Sequence, residues 1–175
     1  MPISTKCGSR IYVLLALLMP TLAFSAGETK KDQRHAAEGS MNGQYIERGR
    51  YLVRISGCND CHTPGYAESA GNVPEREWLT GSQLGWRGPW GTTYPANLRL
   101  TMNEINEEQW IKAAHTKQFR PPMPWFALRD MREEDLRAIH RFIRHLGPAG
   151  NPAPVYVPPD QAPAGPHIQF PMPPG

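Results

Sequence analysis

Proline and glycine decide where this chain of 175 residues can be regular. The 16 glycines and 19 prolines make up one residue in five, and they are unevenly spread. Proline removes a backbone donor and clashes with the preceding turn, while glycine weakens helix and strand interiors. Between Thr63 and Arg99 the chain meets Pro64, Gly65, Gly71, Pro74, Gly81, Gly85, Gly88, Pro89, Gly91 and Pro95. That density predicts a long loop region with no helix or central strand. From Pro148 to the C-terminus there are ten prolines in 28 residues, which predicts an extended segment, 148–175, without regular hydrogen bonding. Val155, Tyr156, Val157, Ile168, Phe170 and Met172 punctuate this tail. A free linker rarely carries so many apolar anchors, so the tail is expected to pack along the body, a disordered tail being the alternative.

Helices fill what remains. Tyr45, Ile46, Gly49, Leu52, Val53 and Ile55 fit one helix over 44–56 that ends at Gly57. Asn106 followed by Gln109 is a capping-box pattern, and Trp110, Ile111 and Ala114 give an apolar face, so 107–116 is predicted helical. Leu136, Ile139, Ile143 and Leu146 recur at helical steps, with Glu133, Glu134 and Asp135 at one end and Arg141, Arg144 and His145 at the other. Asp130 is the expected cap of this last helix, and Gly147-Pro148 its terminator. The length suits one domain, placed at 41–147. No internal repeat is present.

The N-terminus carries a different signal. Lys6 and Arg10 precede an apolar stretch from Ile11 to Phe24, and Ala23-Phe24-Ser25 offers a small-residue cleavage site, so 1–25 reads as an export signal. An uncleaved anchor is the alternative. The apolar run is short of the roughly 20 residues a membrane span needs, so no span is expected in the mature chain. Polar, aperiodic residues 26–40 read as a flexible leader. Removing the signal takes two bases and no acids from a chain with 19 basic and 16 acidic residues. The near-neutral remainder lacks the clustered basic face that nucleic-acid binding requires.

With Cys7 in the signal, the mature chain keeps Cys58 and Cys61, both in Cys58-Asn59-Asp60-Cys61-His62. This C-x-x-C-H spacing is the one used to attach haem c. Two intervening residues let one helical turn present two sulfurs to the porphyrin vinyl groups, while the adjacent histidine reaches the iron. A redox disulfide would want a strand-to-helix setting, and a zinc site would need further ligands at matching spacing. The expectation is one covalent haem c with its iron on His62.

A sixth ligand must come from Met41, Met102, Met123, Met131, Met172 or another histidine. Met123 stands out in Arg120-Pro121-Pro122-Met123-Pro124-Trp125, where prolines on both sides hold the backbone extended. A methionine packed on Trp125 is the plain alternative, and His115 the alternative imidazole. The five tryptophans, Trp78, Trp86, Trp90, Trp110 and Trp125, all fall in the least regular region, and several are expected to wall the haem crevice. Arg87, Trp90, Tyr94 and Asn97 are candidate donors to the haem propionates.

From about residue 44 to 147 the chain resembles the class I c-type cytochromes, and more closely the single-haem domains related to cytochrome subunits of membrane-bound alcohol and sugar-acid dehydrogenases. The resemblance rests on Gly49-Arg50-Tyr51-Leu52 ahead of Cys58-Asn59-Asp60-Cys61-His62, on Gly91-Thr92-Thr93-Tyr94-Pro95-Ala96-Asn97-Leu98, on Pro122-Met123-Pro124-Trp125, and on Glu134-Asp135-Leu136 with Phe142. It implies an all-α, cytochrome c-like fold of three to four helices around one haem, with the first and last helices crossing near Gly49 and Phe142. It also implies thioether bonds from Cys58 and Cys61, and His62 and Met123 as axial ligands. Two departures stand out: those subunits carry three such motifs and this chain one, and their glycine-rich stretch before the middle helix is here Asn103-Glu104-Ile105-Asn106.

With both axial positions filled, one-electron transfer is expected rather than bond-making catalysis. The chain then reads as a periplasmic, or otherwise exported, carrier between a dehydrogenase donor and a downstream cytochrome or oxidase. The alternative is a haem sensor with a displaceable or absent sixth ligand; a peroxidase-like enzyme lacks an identifiable distal acid–base pair.

Overall fold

The computed structural model describes Met1 and residues 26–171. The expected export signal beyond Met1, with Cys7, and Met172 of the tail lie outside the described residues. Six helices follow in order: α1 (Ala26–Ile55), α2 (Cys58–His62), α3 (Leu98–Glu104), α4 (Glu107–Thr116), α5 (Trp125–Arg129) and α6 (Glu133–Leu146). A short 3-10 turn lies at Glu75–Glu77, and strands β1 (Gly85–Gly88), β2 (Gly91–Thr93) and β3 (His167–Gln169) complete the set.

The helical frame is built by α1 crossing α6. Leu136, Ile139, Phe142 and Ile143 bury one face of α6, and Val53 on α1 meets the same apolar cluster. Gly49 is buried at the crossing, against Ala138 and Phe142, as the resemblance implies. Arg48 pairs with Asp135 across the two helices. α4 docks on α6 through Trp110, whose indole N–H donates to the Leu136 carbonyl at 2.9 Å. The end of α6 is closed by Arg99. Its buried guanidinium donates to the carbonyls of Leu146, Gly147 and Arg76, supplying partners and positive charge to a helix C-terminus.

α4 matches its expected bounds, 107–116, and Asn106 with Gln109 forms the full capping box. Several other expectations need correction. The described residues hold six helices rather than three or four, joined by three short strands. α1 runs back through 26–40, so the expected leader is helical, with every described side chain from Lys30 to Gln44 exposed. Asp130 does not cap the last helix. It closes α5 and pairs with Arg129, while α6 starts after Arg132 with no side-chain cap.

The loop region 63–99 and the tail also carry a sheet, ordered β2-β1-β3. β1 is its central strand, which the glycine and proline density argued against. It fits because Pro89 falls in the turn beyond it. β2 pairs antiparallel, with Trp86 opposite Thr93, and β3 pairs parallel, with Trp86 opposite Ile168. The tail therefore does form ladder bonds, and Val157 adds a bridge to Thr92.

Candidate functional site

The site begins at a left-handed residue. Gly57, with φ 71°, ends the run of α1 and turns the chain straight into the five-residue helix Cys58–His62. One turn thus carries both sulfurs and the imidazole. Cys58 and Cys61 are free thiols, not a disulfide. Burial pushes the Cys58 thiol up to about 11 and raises Cys61 as well, with Asp60 adding to both. A thioredoxin-type C-x-x-C follows a strand, and here α1 precedes the motif, so the structure disfavours the redox-disulfide alternative.

His62 is buried, and its Nδ1 lies 2.7 Å from the carbonyl oxygen of Ala96. A carbonyl only accepts, so Nδ1 carries the proton and Nε2 keeps its lone pair. Burial lowers the His62 pKa against that hydrogen bond, which keeps the ring neutral and suited to ligation. The motif is braced from behind. Asn59 is fully buried; its Oδ1 accepts from Thr63 Oγ1 at 2.7 Å, and Thr63 Oγ1 accepts from the Leu79 N–H at 2.8 Å. Asn59 Nδ2 is buried without a hydrogen-bond partner.

This donor set fits haem c. Two unpaired thiols and an imidazole of fixed tautomer share one helical turn, and a buried amide within the same motif is left without a protein acceptor. Among the described residues no group of three or more His, Cys, Asp or Glu side chains could hold a metal ion, which leaves the zinc alternative unsupported.

Met123 is half-buried and packs, like Cys58, against the central apolar cluster. Its N–H donates to the Arg120 carbonyl at 3.3 Å, and its carbonyl accepts from Trp125 at 2.9 Å. Of the other candidates, Met41 is exposed and Met102 is fully buried within the cluster itself, with Met131 packed against it. His115 sets its Nδ1 2.9 Å from the Arg129 carbonyl.

The expected propionate donors are largely engaged elsewhere. Arg87 donates to Thr92 Oγ1 and to the tail carbonyls of Gln161 and Pro159. The Asn97 amide donates to Ala149 and Asn151, while its Oδ1 caps α3. The Trp90 indole donates to the Trp86 carbonyl. Tyr94 sits half-buried beside Gly85. The tryptophans divide in the same way: Trp78 stacks edge-on with Tyr66 and Phe142 in the core, and Trp110 serves α4 and α6. Trp86 and Trp90 hold Phe170 of the tail. Sequence reasoning missed Ala96, whose contribution is a carbonyl and leaves no side-chain signal.

The family model described as Cytochrome c matches residues 46–147. The gluconate 2-dehydrogenase cytochrome c subunit of Pantoea cypripedii is 24% identical over 143 residues, covering 75% of this chain. The chain spans 28% of that relative's length. No solved structure matches. With a C-x-x-C-H turn, an imidazole primed for ligation and a family match over more than half its length, this chain belongs to the cytochrome c family, proteins that transfer electrons through haem c and are not themselves catalysts.

Proposed function

We propose that the chain is an exported, single-haem electron carrier that takes electrons from a dehydrogenase, with thioether bonds from Cys58 and Cys61 and axial ligands His62 and Met123. The observation that carries this reading is the His62–Ala96 hydrogen bond, which leaves Nε2 as the ring's available lone pair on the turn that bears both thiols. When bound, haem c supplies an iron that cycles between the ferrous and ferric states. His62 would offer its Nε2 to the iron, and the Ala96 carbonyl on its far nitrogen fixes the ring's orientation and raises its basicity. A Met123 thioether would serve as the second protein ligand, which would favour the reduced state and take the place that oxygen, peroxide or substrate would need. Cys58 and Cys61 keep the cofactor attached outside the cell membrane, where a lost haem would not be replaced.

Export is supported by the charged, apolar and small-residue pattern of 1–25, and a single haem by the single C-x-x-C-H motif. A dehydrogenase donor is supported by the likeness to a gluconate 2-dehydrogenase cytochrome c subunit. The full chain, produced with a cytochrome c maturation system, should be exported and keep its colour through acid–acetone extraction; Cys58→Ala with Cys61→Ala should lose it. The oxidised protein should show the near-infrared sulfur-to-iron band, and Met123→Ala should abolish it and let the reduced protein bind carbon monoxide. A band that survives Met123→Ala refutes the ligand assignment, and rapid carbon monoxide binding by the parent refutes the carrier reading in favour of a sensor.

A further inference from the structure

The tail is tied to the segment that carries Met123. Arg120 opens that segment, and its carbonyl accepts the Met123 N–H. Its exposed guanidinium lies 3.9 Å from the ring centroid of Tyr156, the shortest cation–ring distance among the described residues. Tyr156 is in turn held from behind. Its hydroxyl donates to the Trp90 carbonyl at 2.7 Å, and the next residue, Val157, exchanges two backbone hydrogen bonds with Thr92 at 2.7 and 3.0 Å. Gly91 has φ 96°, and a Cβ there would come 2.9 Å from the Tyr156 hydroxyl and closer still to the Val157 carbonyl. The fit of tail on hairpin thus depends on a residue without a side chain.

The hydrogen bonds that Met123 makes are local, to Arg120 and Trp125. The Arg120–Tyr156 stack runs instead from this segment to the sheet. We propose that Tyr156, acting through Arg120, is a positioning residue for the Met123 thioether: residues 156–157 form a strap that holds the ligand segment down and opposes its displacement from iron. This inference rests on the reading of Met123 as the axial ligand. The stack and the thioether bond lie three residues apart on one short segment, so releasing the first lowers the cost of releasing the second.

Imidazole titration of the oxidised, haem-loaded full chain tests this, with loss of the near-infrared band as the signal and a thermal melt followed in parallel. Arg120→Gln and Tyr156→Leu should bind imidazole about three- to fivefold more tightly than the parent, the fold-change that one exposed cation–ring stack allows. Arg120→Lys, which keeps a cation over the ring, should return most of the difference. Should Tyr156→Leu fail to accumulate, Arg120→Gln, altered at an exposed guanidinium, carries the test alone. Parent-like imidazole affinity in the variants, with or without a lowered melting temperature, overturns the strap and leaves the ligand assignment intact. A parent that lacks the near-infrared band overturns the Met123 assignment and the strap with it.

Discussion

Gly49 of α1 lies so close to the Ala138 carbonyl of α6 that a Cβ would overlap that oxygen and come 2.6 Å from Phe142 Cβ. The obstacle is backbone, which cannot rotate aside as a side chain tip can, so the helices must part to admit even a methyl group. Gly49→Ala is expected to lower the stability of the haem-loaded protein by about 3 kcal/mol, the upper end for overpacking, read from the denaturant midpoint. Gly43→Ala on the same helix, where a Cβ meets nothing within 4 Å, should leave stability equal or slightly higher. Equal effects at the two positions would mean that the crossing is not the tight joint of the fold.

A second joint lies behind the C-x-x-C-H turn. Thr63 Oγ1 serves two buried partners, donating to Asn59 and accepting from the Leu79 N–H. Leu79 adopts φ 61°, a left-handed conformation that costs a branched side chain roughly 1–2 kcal/mol. Thr63→Val keeps the shape and orphans both partners, so a loss of about 2–4 kcal/mol is expected, whereas Thr63→Ser should recover most of it. Chemical denaturation of the three proteins at one pH decides the point; a valine variant as stable as the parent would show that water takes over both bonds.

What could be read from the sequence was local. The capping box of α4 and the helical steps of α6 each lie within a few consecutive residues, and the C-x-x-C-H motif states its chemistry in five. Asp130 misled because a carboxylate between two short helices suits either as a cap, and here it closes α5 beside Arg129. α5 itself, five residues after Pro124, is too short to show a period. The sheet left no local trace either: Trp86 pairs with Ile168, and nothing in either tripeptide announces the other. Arg87 and Asn97 also bind tail carbonyls at 159–161 and 149–151, long-range partners that no local pattern announces. The Ala96 carbonyl that orients His62 belongs to a residue 34 positions away, and a backbone acceptor leaves no side-chain signal for that role.

Acid should destabilise the fold in two stages. His140 is buried on α6 with Nε2 3.2 Å from the Ile105 carbonyl. Burial lowers its pKa below the ordinary 6.5, against that hydrogen bond and the charge of Glu107. The unfolded chain therefore takes up this proton first, so the stability conferred by neutral His140 is full above about pH 6.5 and falls as pH drops below it. Glu107 accepts from Arg141 at 2.7 Å and from Arg137 at 2.5 Å. The Arg141 hydrogen bond, helped by Arg137 and opposed by burial, holds its carboxyl below the ordinary 4.5. Its contribution is full above about pH 4.5 and is lost below that. Urea midpoints from pH 8 to pH 3 should show both steps. His140→Gln should shrink the upper one, which buried His62 shares, and Glu107→Gln should shrink the lower one, shared with the exposed carboxyls of Glu47 and Asp130, together with a loss of about 1–3 kcal/mol at neutral pH. A single step in the parent, or a lower step of unchanged size in Glu107→Gln, would contradict the assignment.

Phe170 is the outer anchor of the tail. Its ring centroid lies 5.8 Å from that of Trp86 and 5.2 Å from that of Trp90, and its N–H donates to the Arg87 carbonyl at 2.7 Å. The three residues of β3 are exposed, so the strand itself buries little and the ring supplies most of its attachment. Phe170→Ala should therefore release β3 while Val157 stays bridged to Thr92. Limited proteolysis is expected to cut the variant between Gln161 and Gln169 at a protease level that spares the parent. The melting of the helical body should move by no more than the equivalent of about 1 kcal/mol, because the anchor is held by Trp86, Trp90 and Arg87 of the hairpin. Cleavage that begins instead at Pro152–Pro158, or a body that melts with the tail, would mean that residues 148–171 come away as one unit and that the bridge at Val157 has no strength of its own.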